Sequence, residues 1–225
     1  MTIRRIFALL LLLLLCAPAA CAPIVTHGPQ PERGWQAVAT IGLPYPLCDI
    51  ECEVNLMNQV GFGARYGRPA ENGKVGYSLG GTLSLGMVSS ELDLYVQAPT
   101  DPEWAVGGGL LLSPAHVMPY VQIGQMQASG SGFYTTHGFV WMPERTDATG
   151  MDYEPRAYVK PRYWTPTVAY RFARRRGAVH LYLSGAFGTM TLRDASGWDQ
   201  RPVPGRASVN YVMGGISIER NLPGF

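Results

Sequence analysis

The stretch VGYSLGGTLSLGM, residues 75–87, places apolar side chains at its odd positions and only Gly, Ser and Thr at its even ones. A period of two describes a strand with two unlike faces. The same alternation recurs along the chain and predicts ten strands, at 35–45, 58–67, 75–87, 91–98, 104–112, 117–126, 133–142, 163–173, 179–189 and 208–219. No stretch after residue 25 keeps a helical period over three turns. Most segments have the length at which a tilted strand crosses a bilayer, about 9–11 residues. The connections at 68–74, 99–103, 127–132 and 174–178 are short. They alternate with longer ones at 46–57, 143–162 and 190–207 and with tight turns at 88–90 and 113–116. Short turns on one side and mostly longer loops on the other describe a transmembrane meander with its short turns in the periplasm. An even strand count then puts both chain ends on that side.

Alternation alone leaves open which face points outward, since a soluble barrel buries its apolar face and wets the other. Composition decides it. The non-apolar face carries Gly61, Gly63, Gly76, Ser78, Gly80, Thr82, Ser84, Gly107, Gly109, Gln122, Gly124, Ser184 and Gly188 instead of the charged residues that water would favour. The apolar face (Val60, Phe62, Leu79, Leu83, Leu92, Leu94, Val96, Val106, Leu110, Val121, Ile123, Val168, Leu181, Leu183, Ile216 and Ile218) therefore meets lipid. Tyr45, Tyr66, Tyr77, Trp104, Trp141, Trp164 and Phe187 fall towards segment ends, where interfacial aromatic girdles sit. Charged residues make up only 15% of the 225 positions, against about a quarter in a soluble domain. The net charge of +2 suggests neither nucleic acid nor a strongly acidic partner.

The N-terminus changes the picture further. Arg4 and Arg5 precede an apolar run over 6–15 that Pro18 soon interrupts, the layout of an export signal and too short for a comfortable spanning helix. The PAAC ending at Cys21 resembles the lipobox of bacterial lipoproteins, although Pro18 stands where that pattern usually has Leu. The resemblance implies removal of residues 1–20, a palmitate-type lipid on Cys21 and, because Ala22 is not Asp, passage to the outer membrane. Ordinary cleavage after Ala19 or Ala20 is the alternative and leaves Cys21 a plain thiol. Residues 21–34 then form a Pro-rich tether and 35–225 one barrel domain. In an exported chain Cys48 and Cys52 read as a small disulfide before a metal site.

Taken together, these segments resemble the small outer-membrane β-barrels of Gram-negative bacteria over about residues 35–220. The closing segment VMGGISIER is similar to the last strand of such barrels, and the chain ends in Phe225 as many of them do, although NLPGF breaks the alternation first. The resemblance implies an all-β, antiparallel, up-and-down transmembrane β-barrel. Ten strands are expected, or eight if 133–142 belongs to one long loop. It also implies contact with outer-membrane lipid and with the barrel-assembly machinery.

Charge inside a membrane is costly and often functional, so the luminal ionisable residues are the candidates for chemistry. A turn near Arg175 sets Arg171 opposite His180. A loop centred near Trp198 sets His180 opposite Ser217, with Glu219 one step away on the same face. Nucleophile, base and orienter are nominally present in His180, Ser217 and Glu219. The plainer reading is an internal network of ion pairs that fills a narrow lumen. Arg65 is expected beside Gly76 and Ser78 near the periplasmic end, with Glu91 and Asp93 near the other end and not its partners. His27, His116 and His137 are scattered over tether, turn and strand, and neither a cofactor nor a shared metal is expected. The basic RFARRRG at 171–177 reads as a turn touching anionic headgroups. Three functions follow: a non-enzymatic barrel with a structural, adhesive or weakly pore-forming role, a lipid-modifying enzyme, or a lipid-tethered lipocalin-like binder of a small hydrophobic ligand. The lipocalin opening pattern is not matched by RGWQAVA.

Overall fold

A computed structural model describes residues 25, 27–29, 31–46, 59–70, 75–84, 87–98, 103–113, 116–141, 145–146, 158–193 and 205–222. The expected export signal, with Cys21, and the expected Cys48–Cys52 disulfide lie outside the described residues. Among those described, every regular element is a strand: β1 (Gly34–Pro46), β2 (Gln59–Arg68), β3 (Gly76–Ser84), β4 (Met87–Ala98), β5 (Glu103–Leu112), β6 (Val117–Met126), β7 (Gly132–Trp141), the two-residue β8 (Arg145–Thr146), β9 (Tyr158–Arg174), β10 (Gly177–Arg193) and β11 (Gly205–Asn221). All pairings are antiparallel between neighbours, β7 pairs β9, and β11 pairs back onto β1. Ten long strands thus close a barrel, and β8 pairs only with the outer part of β9 among the described residues. With β7 in the wall, the eight-strand alternative falls away. Both β1 and β11 have their outer-chain ends, Gly34 and Asn221, at one rim, here called the inner end.

Side-chain direction follows the alternation read from the sequence. Leu79, Leu83, Leu94, Val106, Val121, Leu183 and Ile218 all point out and are exposed, while Ser78, Asp93, Gln122, Thr136, His180 and Ser217 point in and are buried. A water-soluble barrel requires the reverse, so the lipocalin-like alternative does not fit this surface. Aromatics bracket the apolar band. Trp35 packs on Tyr66 and Phe133 on Tyr170 near the inner end, while Trp164 lies beside Phe187 and Tyr45 and Trp141 stand exposed near the outer end. These are the two girdles of a membrane-spanning barrel.

The lumen is filled differently in its two halves. Towards the outer end Met118, Tyr120, Val140, Tyr163, Tyr182, Tyr211 and Met213 form a buried apolar core. Glycines make room for them. A Cβ at Gly215 would lie 2.3 Å from the Tyr182 hydroxyl and 2.4 Å from the Ile41 carbonyl oxygen, the group to which Tyr182 donates a hydrogen bond of 3.1 Å. Gly215→Ala is therefore expected to lower stability by about 1–3 kcal/mol, the usual range for overpacking, as a shift in the urea midpoint of the detergent-refolded barrel.

Three connections differ from expectation. The turn expected at 88–90 is strand: Ser84 pairs with Met87, so the β3–β4 ladder closes three residues earlier, around 85–86. Ser89 and Ser90 resemble turn residues, but paired to Thr82 and Gly81 they simply continue the wall. The loops expected at 143–162 and 190–207 are shorter, because β9, β10 and β11 run 17 residues each and stay paired out to Tyr158, Arg193 and Gly205. Beyond the apolar band the ladder satisfies its own backbone groups, so polar composition no longer distinguishes strand from loop.

Candidate functional site

The β2–β3–β4 register changes the placement of the inner-half charges. Arg65 pairs with Gly80 and Gly80 with Glu91, while Ser78 pairs with Asp93. Arg65 stands beside Gly80 instead of Gly76 and Ser78, and shares one row of the wall with Glu91 instead of lying at the opposite end, because the β2–β3 register and the β3–β4 turn both differ by about three residues from those expected. Arg65 nevertheless finds its ion-pair partner across the seam, in Glu219 of β11. The register brings β11, β1 and β2 side by side, with Val38 between Glu219 and Gly63, so both long side chains reach the same luminal space.

Glu219 is the centre of the first network. Its carboxylate takes Arg65 and also lies 3.2 Å from Nε2 of His180, whose Nδ1 is 3.0 Å from the Tyr134 hydroxyl. Arg65 Nε donates to Gln36 at 3.4 Å, and Gln36 donates to Asn221 at 3.3 Å. Asn221 donates to Glu32, which also pairs with Arg171, and Arg171 donates to the Gly130 carbonyl oxygen. Arg171 and Ser217 flank His180 in the wall, in the register inferred from the loop centres. However, Arg171 turns to Glu32, and the Ser217 hydroxyl accepts from Thr40 at 3.1 Å. Both ring nitrogens of His180 are engaged by Glu219 and Tyr134, and His180 and Ser217 are fully buried. Among the described residues His180 thus faces Glu219 and Tyr134, and Ser217 faces Thr40.

The second network was not legible as a site, because it depends on the segment before β1. That segment lies in the lumen. Val25, His27, Pro29 and Pro31 are buried; a Cβ at Gly67 would meet the Glu32 carbonyl oxygen at 2.4 Å and Pro31 at 2.7 Å, and one at Gly124 would meet Pro29 at 2.9 Å. Part of the small luminal face is thus the socket of a plug. The imidazole of His27 sits between Glu91 (3.3 Å) and Asp93 (3.6 Å), its carbonyl oxygen accepts from Gln122 at 2.7 Å, and Asp93 also accepts from Ser78 at 2.6 Å. His27 precedes the spanning strands. Burial and Arg65 oppose its charge, but Glu91 and Asp93 outweigh them and hold its pKa above the ordinary value. The plug is therefore held by its imidazole between two acidic side chains.

His27 and Glu32 stand among Pro and Gly in HGPQPERG and follow no period, so the sequence carries no signal of their partners. His116 bonds Ser113 in a turn and His137 stacks on Trp164 at 5.6 Å; neither approaches His27 in the pairing pattern. At the inner mouth a cavity of about 360 Å³ opens beside the plug, lined by Pro29, Pro31, Glu32, Tyr95, Arg171 and Arg174 among others.

No family model and no curated protein matches the chain. Among solved structures the chain is similar to the NanC porin, at 13% identity over 83% of this chain and 100% of that one, with a TM-score of 0.39.

Proposed function

We propose that the chain is an outer-membrane β-barrel lipoprotein with its inner end in the periplasm, packed shut and serving a structural or adhesive role without catalysis. The observation that carries this reading is the pairing of a continuous exposed apolar wall with a lumen that the described side chains fill along most of its length. The charged inner half is closed by ion pairs and the plug, and the outer half by tyrosines and methionines. Such a wall is stable only in lipid, and such a lumen leaves little path for solute. The adhesive element of the reading rests on β9, β10 and β11, whose ladder extends past the outer rim of the other strands as a paired surface. Against a lipid-modifying enzyme stands the sealed position of His180 and Ser217 inside the barrel, away from any lipid.

The test is fractionation of cells carrying the wild-type chain and Cys21→Ala. Both are expected to stay in the outer membrane through carbonate extraction and to migrate faster unheated than boiled. Release of the Cys21→Ala protein by carbonate would mean that the lipid, and not the barrel, holds it there, and would end the reading.

A further inference from the structure

The basic segment at the β9–β10 turn does not act as one group. Arg171 turns into the lumen and pairs with Glu32, whereas Arg174, Arg175 and Arg176 are exposed at the inner rim. The register adds a fourth exposed cation from far along the chain. Gly177 pairs with Arg174 on one side and with Arg220 of β11 on the other, so the two arginines flank a residue without a side chain, two strand spacings or about 10 Å apart. A Cβ at Gly177 would run into the Glu219 carbonyl group, and its φ of 141° favours glycine, so the backbone itself keeps the gap open. The Asn221 amide donates to the Arg176 carbonyl oxygen at 3.0 Å and ties the turn to the end of β11. Among the described residues none of these four arginines forms an ion pair, and Glu32 and Glu219 are taken by Arg171 and Arg65. The same outward face runs straight into the apolar wall. Its next row is Phe172, Val179 and Ile218, and Leu181 and Ile216 follow. Phe133, Tyr170 and Phe172 pack in series, their ring centroids 4.5 Å apart at each step, and form a ridge along one side. On the other side Arg220 pairs with Ala37 and Ile218 with Ala39, so the wall is low there.

We infer that this corner binds one anionic phospholipid of the leaflet at the inner end, with its phosphate over Gly177 between Arg174 and Arg220 and an acyl chain along Val179 and Ile218. Guanidinium groups meet phosphate oxygens in bidentate pairs, and two of them flank one gap here. Arg175 and Arg176, the two residues of the turn, add charge beside it. The headgroup is of the phosphatidylglycerol type, because four cations with no facing acid among the described residues repel the ammonium of a zwitterionic lipid. The apolar floor selects the source of the phosphate. An acidic protein segment would match the arginines but not Phe172 and Ile218, which are 37% and 51% exposed on the lipid face, and a free phosphate would leave them unused. Only an anion joined directly to an apolar tail uses both parts. The inference rests on the reading of the chain as a membrane barrel whose inner end faces the periplasm.

The test is native mass spectrometry of the chain from Cys21 onward, refolded into detergent, with heat-modifiable migration establishing folding. Phosphatidylglycerol and phosphatidylethanolamine with identical acyl chains are offered together. The wild-type barrel is expected to hold one phosphatidylglycerol at least about tenfold more tightly than phosphatidylethanolamine, and Arg174→Gln with Arg220→Gln is expected to abolish that preference. Arg68→Gln with Arg162→Gln removes the same charge from exposed positions elsewhere and should keep the preference to within about twofold. Equal loss in both double variants would mean diffuse attraction to a basic rim and would overturn the inference. So would equal retention of the two lipids by the wild type, or displacement of bound phosphatidylglycerol by glycerol 3-phosphate, which would make the ligand a soluble phosphate. Should the Arg174, Arg220 double variant fail to fold, Arg220→Gln alone is expected to cost at least about threefold of the preference. A folded wild type without preference ends the site and leaves the membrane reading standing, whereas release by carbonate bears on that reading alone.

Discussion

Glu219→Ala is expected to destabilise the folded barrel by about 3–5 kcal/mol, the range for removing one partner of a buried ion pair. Arg65 is 2% exposed and Glu219 4%, so water cannot replace the lost carboxylate. The substitution strands Arg65 with the Gln36 amide oxygen as its remaining hydrogen-bond partner among the described residues, and removes the acid that faces His180. Glu91, in the same row as Arg65, offers a partial substitute, but only by giving up His27. The measurement is a urea titration of protein refolded into vesicles, read by heat-modifiable migration. Glu219→Gln keeps an acceptor and should lose about half as much. Arg65→Met with Glu219→Leu should be less harmful than either charge deletion alone, because an apolar pair carries no uncompensated charge. A single-site loss below about 1 kcal/mol would mean that the pair is water-filled and that the lumen is not packed as described.

In planar bilayers the wild-type barrel is expected to stay closed or nearly so, and His27→Ala with Glu32→Ala is expected to change little. Loosening the plug empties the inner half alone. Met118, Tyr182, Tyr211 and Met213 still fill the lumen beyond it, each 5% exposed or less. Adding Tyr182→Ala and Tyr211→Ala should produce stepwise openings, with cations favoured by the freed Glu91 and Asp93 carboxylates. Large steady conductance from the wild type would contradict the sealed lumen and turn the assignment towards a pore. Conductance from the plug variant alone would place the whole barrier in the N-terminal segment.

Alternation and composition are local properties, and they sufficed for much of this protein. Leu79 and Leu83 face lipid, and Ser78 the lumen, because a strand sends successive side chains to opposite sides whatever its partners are. The many small and few charged residues of the second face said that the apolar one meets lipid. Equal loop centres likewise set Arg171 and Ser217 beside His180, since a symmetric hairpin fixes its own register. The β3–β4 pairing escaped because Ser89 and Ser90 imitate a turn, and that shift, together with the one in the β2–β3 register, moved Glu91 into the row of Arg65. Partner choice was beyond any local pattern. Arg65 and Glu219 are 154 positions apart and meet only because β11 closes on β1. His27 lies between Glu91 and Asp93 because a lumen of this width, lined with glycine, has room for one more segment of chain. Long-range closure and enclosed volume, which no stretch of residues encodes alone, decided both.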